Sequence, residues 1–154
     1  MIEITQICDS FTKGKICRNI LSDLPLWFGI PESTDEYCRN VELYDFYSVI
    51  YEKETIGFIS VKMNNEYVAE LYVLGILKNY HRKGFGKVTL NYIFEKLKDK
   101  KIRYVEVKTL DETKESDEYM KTRRFYQKLG FIPIDVLNNE WGINNPCLIM
   151  LKEL

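Results

Sequence analysis

The sequence predicts one α/β domain built around a mixed sheet, and three observations predict it. At 154 residues the chain can bury one core and is short for two. Segments with apolar residues at helical spacing are interleaved with short strand-like runs, and no repeat or low-complexity linker divides them. Between one such strand and one such helix lies Leu74-Gly-Ile-Leu-Lys-Asn-Tyr-His-Arg-Lys-Gly-Phe-Gly-Lys87, a basic turn with glycines at 84 and 86. A turn of that kind cradles phosphate. Its successive backbone N–H groups point one way, and the helix start adds partial positive charge.

The elements follow in order. Residues 1–6 alternate in polarity and suit a short first strand. From Phe11 to Leu24 the residues Ile16, Cys17, Ile20, Leu21 and Leu24 recur at helical spacing, with Asp9 or Ser10 as N-cap and Pro25 as the stop. Leu26–Ile30 is an aromatic-rich connector, and Pro31 fits the first turn of a second helix through about Asn40. Three strands follow at Val41–Tyr51, Thr55–Met63 and Tyr67–Ile76, turned at Glu52–Glu54 and Asn64–Asn65. The first of them is apolar on both parities, as a central strand is.

The helix after the glycine turn runs to about Lys100, with Leu90, Ile93, Phe94 and Leu97 on one stripe. Ile102–Thr109 alternates as a fifth strand. Asp111–Glu118 is strongly acidic and forms a loop or a helix start. Thr122, Phe125, Tyr126 and Leu129 line one helical face there, and Gly130 is placed to end it. Phe131–Leu137 and Pro146–Lys152 are the last two strands, joined by Asn138–Asn145 with Trp141 inside.

Composition excludes several functions. The net charge of −1 gives no basic field to recruit nucleic acid or an anionic membrane. No apolar run approaches the roughly 18–20 residues of a membrane span. The opening Met-Ile-Glu-Ile-Thr-Gln has no leader pattern, and Cys8, Cys17, Cys38 and Cys147 form no CxxC pair. The expectation is a soluble cytoplasmic protein with reduced thiols and no metal.

Two phosphate motifs fail at the glycine turn. A Walker loop needs Ser or Thr after Gly86-Lys87, where Val88 stands, and a glycine where His81 stands. The dinucleotide pattern needs a glycine at Thr89. Instead His81-Arg-Lys-Gly84-Phe-Gly86 matches at both glycines the cofactor loop of the GNAT superfamily, the acetyl-CoA-dependent N-acetyltransferases. His81 departs from that family's usual Gln or Arg. The strand Ala69–Ile76 before the loop and Arg124-Phe-Tyr126-Gln-Lys-Leu-Gly130-Phe131 after it also resemble the family, at a fitting distance. The resemblance covers about Thr55 to Leu137, and residues 1–50 by element order only.

That resemblance implies a mostly antiparallel sheet of about seven strands flanked by four helices, splayed between strands 4 and 5. It implies acetyl-CoA as cosubstrate. The amides from Arg82 through Lys83, Gly84, Phe85 and Gly86 to Lys87 would hold the pyrophosphate, and the backbone of Leu74 and Ile76 would pair with the pantetheine arm. The Leu74 amide would then face the thioester oxygen. Glu70, fourteen residues before Gly84, stands where several members carry their base; read without the family it merely begins a strand. Alternation puts Glu70, Tyr72 and Leu74 on one face. Tyr126 matches the tyrosine that protonates the leaving thiolate, and it equally fits the apolar stripe of its helix. Tyr119 stands where many relatives have Asn, so no cofactor contact is expected from it. His81 is expected at the phosphate region, and Cys147 has no histidine partner for an acyl-cysteine route.

The acceptor side, by the same resemblance, is built from Leu24–Asn40 and Asn138–Asn145. These supply Trp27, Phe28, Tyr37 and Trp141, with Tyr72 on the adjoining strand. Aromatic walls with Glu32, Asp35 and Glu36 nearby suit a small cationic amine. Packing of the helices on the sheet accounts for the same aromatics. A protein N-terminus or lysine is the alternative acceptor, and a non-catalytic acyl-CoA sensor the alternative class. A homodimer is left open.

Overall fold

In the computed structural model, which describes residues 1–154, the Asp9 carboxylate accepts the Thr12 backbone N–H at 2.8 Å and starts the first helix. The strand β1 (Ile2–Gln6) precedes it. Helix α1 spans Ser10–Ser22, and α2 spans Pro31–Asn40 with proline in its first turn, where a missing N–H costs nothing. Strands β2 (Asp45–Tyr51), β3 (Glu54–Met63) and β4 (Val68–Ile76) follow, then α3 (Phe85–Asp99), β5 (Tyr104–Leu110), α4 (Asp117–Lys128), β6 (Ile132–Leu137) and β7 (Cys147–Glu153). No helix is long and apolar enough to cross a membrane.

One expectation needs correction here. Val41–Tyr51 is not one strand, because Val41–Leu43 forms a single 3-10 turn and β2 begins at Asp45. Val41 is fully buried under α1 whereas Leu43 points to solvent, so the apolar residues of this stretch do not share a strand's alternation.

The seven strands form one sheet in the order β1-β2-β3-β4-β5-β7-β6. All neighbours are antiparallel except β4 and β5, which run parallel and pair only over Val68–Leu71 and Tyr104–Val107. Beyond Leu71, β4 stays on β3 and parts from β5. The pairing Val61 with Leu71 and then Ser60 with Val73 leaves Tyr72 as an extra residue, a β-bulge at the parting point.

The bulge corrects a second expectation. Glu70 and Tyr72 face α1 and α2, but Leu74 does not join them: it packs into the opposite core. An inserted residue shifts the two-residue alternation by one, so side chains beyond it change faces.

Two cores hold the sheet between its helices. On one face, Cys17, Ile20 and Leu21 of α1, with Leu24 just after it, meet Val73 and the Phe46–Phe58 pair, whose rings stack 5.1 Å apart. The thiols of Cys17 and Cys38 lie 3.6 Å apart in the same core, unbonded covalently. On the other face, Leu90, Ile93, Phe94 and Leu97 of α3 pack with Ile59, Leu71, Val105 and Val107, while Tyr126 and Phe131 close the α4 side. At the far edge, β6 has a bulge between Pro133 and Asp135, and the Asp135 carboxylate takes the Val136 N–H at 2.8 Å.

The aromatic pair gives a direct test of the α1-side core. Phe58→Ala should lower unfolding free energy by about 3–5 kcal/mol, the usual loss for a fully buried phenylalanine. Chemical denaturation read by tryptophan fluorescence measures it.

Candidate active site

The parting of β4 from β5 leaves polar backbone groups without a strand partner. The Leu77 N–H donates to the Ile56 carbonyl at 2.7 Å. Antiparallel alternation then turns Gly75 and Val73 toward β3, and turns the N–H and C=O groups of Leu74 and Ile76 toward the gap. The Ile76 carbonyl is already engaged: His81 Nε2 lies 2.6 Å from it. His81 thus caps the end of β4 instead of facing the phosphate turn, and its ring meets Trp27 edge-on at 5.5 Å.

The glycine turn is built to present amides. Gly84 precedes α3 with φ +86°, a conformation open to glycine at little cost, and no side chain caps the helix. The first intrahelical bond is Val88 N–H to the Gly84 carbonyl, so the N–H groups of Phe85, Gly86 and Lys87 have no intrahelical partner. Arg82, Lys83 and Lys87 surround them, with no acidic residue in the first turn. The Phe85 ring packs against Tyr51 and Tyr80 at 4.9 and 5.8 Å, fixing the turn to the sheet end. A Cβ on Gly86 would lie 3.1 Å from Phe125 of α4, so its absence lets α4 close on the start of α3.

Glu70 sits just before the gap on the α2 side. It is 5% exposed, and its carboxylate accepts no hydrogen bond from the protein. Lys108 Nζ of β5 lies 3.9 Å from it, and the same ammonium is 3.2 Å from Glu140 in the β6–β7 loop. Burial raises the Glu70 pKa above the ordinary value, Lys108 lowers it and Glu106 raises it. Tyr126 lies on the other face, buried against Phe131 and Phe125 at 5.4 and 5.5 Å. Burial pushes its phenol well up, so it stays protonated, and its hydroxyl has no partner within the protein.

The aromatic residues divide. Phe28, Tyr37, Tyr72 and Tyr44 form a chain of edge-to-face rings, with centroid steps of 5.9, 5.4 and 5.0 Å. Asn40 steadies it by donating to the Tyr72 hydroxyl at 3.0 Å. Trp27 points elsewhere: its indole N–H donates to Thr122 at 3.1 Å and its carbonyl accepts the Tyr119 hydroxyl at 2.7 Å, which ties the α1–α2 connector to α4. Trp141 has no ring partner, and its loop brings Glu140 toward Glu70 instead. Cys147 is buried with its thiol pushed up to about 12, chiefly by burial, and so rests protonated.

Lys108, Glu140, Tyr44 and Asn40 are site residues that sequence reasoning missed. Lys108 and Glu106 are the polar parity of the β5 alternation, and that half-exposed parity lies beside Glu70. A concavity of about 650 Å³ beside Glu112, Arg123 and Arg124 lies along α4 and contains none of these groups. No cluster of His, Cys, Asp or Glu is arranged to hold a metal.

A family model described as "Acetyltransferase (GNAT) family" matches residues 15–131, most of the chain. The chain belongs to the GNAT family. No curated protein sequence matches it. Among solved structures, a GNAT-family protein of Desulfovibrio desulfuricans is similar at 16% identity, with 99% of each chain covered and a TM-score of 0.82. The ribosomal-protein-S18-alanine N-acetyltransferase of Escherichia coli is 16% identical over 99% of this chain and 94% of its own, TM-score 0.73. An aminoglycoside 6'-N-acetyltransferase complexed with coenzyme A is 18% identical over 99% and 96%, TM-score 0.74. This GNAT chain is therefore an acyltransferase, and solved structures of the same fold hold acetyl-CoA or coenzyme A. The parallel β4–β5 pair within an otherwise antiparallel sheet agrees with that fold.

The raised Glu70 pKa carries a stability consequence. Unfolding returns the group to its ordinary value, so deprotonation favours the unfolded chain. Its stabilising share is full below the unfolded value of 4.5 and is lost as pH rises through the raised native value. Glu70→Gln, which cannot ionise, should raise the thermal midpoint at pH 7 relative to wild type. Calorimetry should show the difference shrinking toward pH 4.

Proposed function

We propose that this GNAT protein moves the acetyl group of acetyl-CoA to a small cationic primary amine by direct attack, the whole of residues 1–154 acting as one cytoplasmic acetyltransferase unit. The observation that carries the reading is Glu70: a buried carboxylate with no hydrogen bond, beside a tyrosine wall. Burying a carboxylate without a hydrogen bond is costly, and Lys108 at 3.9 Å offsets only its charge. A base that must take a proton from an incoming amine needs that vacancy.

The remaining roles follow from chemistry. The free amides at the start of α3, with Arg82, Lys83 and Lys87, suit a pyrophosphate. The Leu74 N–H, turned into the gap, suits the developing thioester oxyanion, a contact typically worth about 3–4 kcal/mol. Leu74 offers the pantetheine arm both backbone groups, whereas Ile76 offers its N–H alone while His81 holds its carbonyl. An amine of pKa about 10.4 needs roughly 4.6 kcal/mol to lose its proton at pH 7. Glu70, directly or through water, offsets that on one face of the sheet, and the protonated Tyr126 stands ready for the thiolate on the other.

Charge favours a cationic acceptor. Glu70, Glu106, Glu140 and Glu36 act on this floor against Lys62 and Lys108. Rings set edge to face give an ammonium a further attraction. Neighbours of this fold are named for an aminoglycoside and for a ribosomal-protein alanine, and the acidic floor favours the first kind of acceptor.

Four measurements test the reading. A thiol-release screen of polyamines, aminoglycosides and amino acids should find turnover, and activity confined to peptide N-termini would overturn the small-molecule acceptor. With a substrate in hand, Glu70→Gln should lower kcat about 10²–10⁴-fold above the acid limb and flatten that limb. Tyr126→Phe turning over at the wild-type rate would remove the acid role. Gly86→Val should weaken acetyl-CoA binding about tenfold by calorimetry, because the added side chain forces Phe125 away from the start of α3.

A further inference from the structure

Glu70 is buried, yet the nearest cation does not bond to it. Lys108 Nζ sits 3.2 Å from Glu140, a hydrogen-bonding distance, and 3.9 Å from Glu70, beyond one. Its side chain is 24% exposed against 7% for that of Glu70 and 41% for that of Glu140, so it bridges the buried carboxylate and the surface. We infer that Lys108 is a positioning residue for the acetyl transfer: clamped by Glu140 of the β6–β7 loop, it holds a positive charge beside Glu70 while leaving both carboxylate oxygens free.

The inference rests on Glu70 as the base. A buried carboxylate can take a proton at neutral pH only if it begins ionised, and burial opposes that. A cation bonded to the carboxylate would supply the charge and block the oxygens. A cation held nearby by another acid supplies the charge and leaves them open.

The surrounding groups single out Lys108. From β3, Lys62 faces Glu70, but its ammonium lies over the Tyr44 ring at 5.7 Å. From β5 come Glu106, which Asn64 contacts at 3.3 Å, and Lys108 itself. Tyr72 lies on β4, Glu36 of α2 faces Tyr72, and Glu140 comes from the loop. Among these, Lys108 lowers the Glu70 pKa most, while Glu106 and Glu140 raise it.

The test is a carbon-13 NMR titration of the Glu70 carboxyl in the labelled full chain, its resonance identified by Glu70→Gln. Lys108→Met should move the Glu70 titration up by about one pH unit or more, and Lys108→Arg should return it to within a few tenths of wild type. Glu140→Gln alters an exposed loop residue and should move it the opposite way, by removing a repulsive charge and freeing the ammonium for Glu70. A Glu70 titration unmoved in both Lys108→Met and Glu140→Gln overturns the inference, and so does a downward move in Lys108→Met. Failure of the underlying reading looks different: Glu70→Gln would transfer acetyl at the wild-type rate, whatever the titrations show.

Discussion

The extra residue at Tyr72 is the constraint on which the rest of this molecule depends. With it, β4 keeps its pairing to β3 along its whole length while abandoning β5 after four residues. A buried strand edge without partners is ordinarily expensive, since each orphaned N–H or C=O forfeits water without gaining a bond. Here that edge carries the free groups of Leu74, and only the Ile76 carbonyl is satisfied, by His81. The same insertion sends Glu70 and Tyr72 to one face of the sheet and Leu74 to the other. A single register change thus sorts the polar machinery from the apolar support.

Around that opening the two flanks are mechanically joined. Trp27 belongs to the connector between α1 and α2, yet its indole and carbonyl are both bonded to α4. The connector that carries Phe28 is therefore bonded to the same helix that packs on the start of α3 through Phe125 and Gly86. On the floor, the chain Glu140–Lys108–Glu70 connects a surface loop to the base of the gap. These links are made by polar side chains reaching between elements far apart in sequence.

The helices and most strands were legible in the sequence because their causes are local. Asp9 as a cap, Pro31 at a helix start and the left-handed Gly84 each follow from one residue's chemistry. The family resemblance supplied the gap between the fourth and fifth strands. What stayed hidden was relational. A bulge exists only against a partner strand, and no Gly or Pro marks Tyr72, so the face of Leu74 was misread. Val41–Leu43 has the composition of a strand, but burial of Val41 under α1 makes it a turn. Lys108 and Glu140 are 32 residues apart, and nothing periodic joins them. His81 was legible as an unusual residue, though not as the cap of a carbonyl five positions earlier.

The far edge of the sheet has a consequence of its own. Ile132, Ile134 and Val136 are exposed along β6, a composition that invites another chain to add a strand. Three features blunt the invitation: Pro133 has no N–H to give, the bulge after it bends the rail, and Asp135 has spent its carboxylate on the Val136 donor. A strand arriving there meets a ladder with missing rungs. The apolar side chains at that edge can be wetted or covered, but they do not template the in-register growth by which exposed strands seed fibrils.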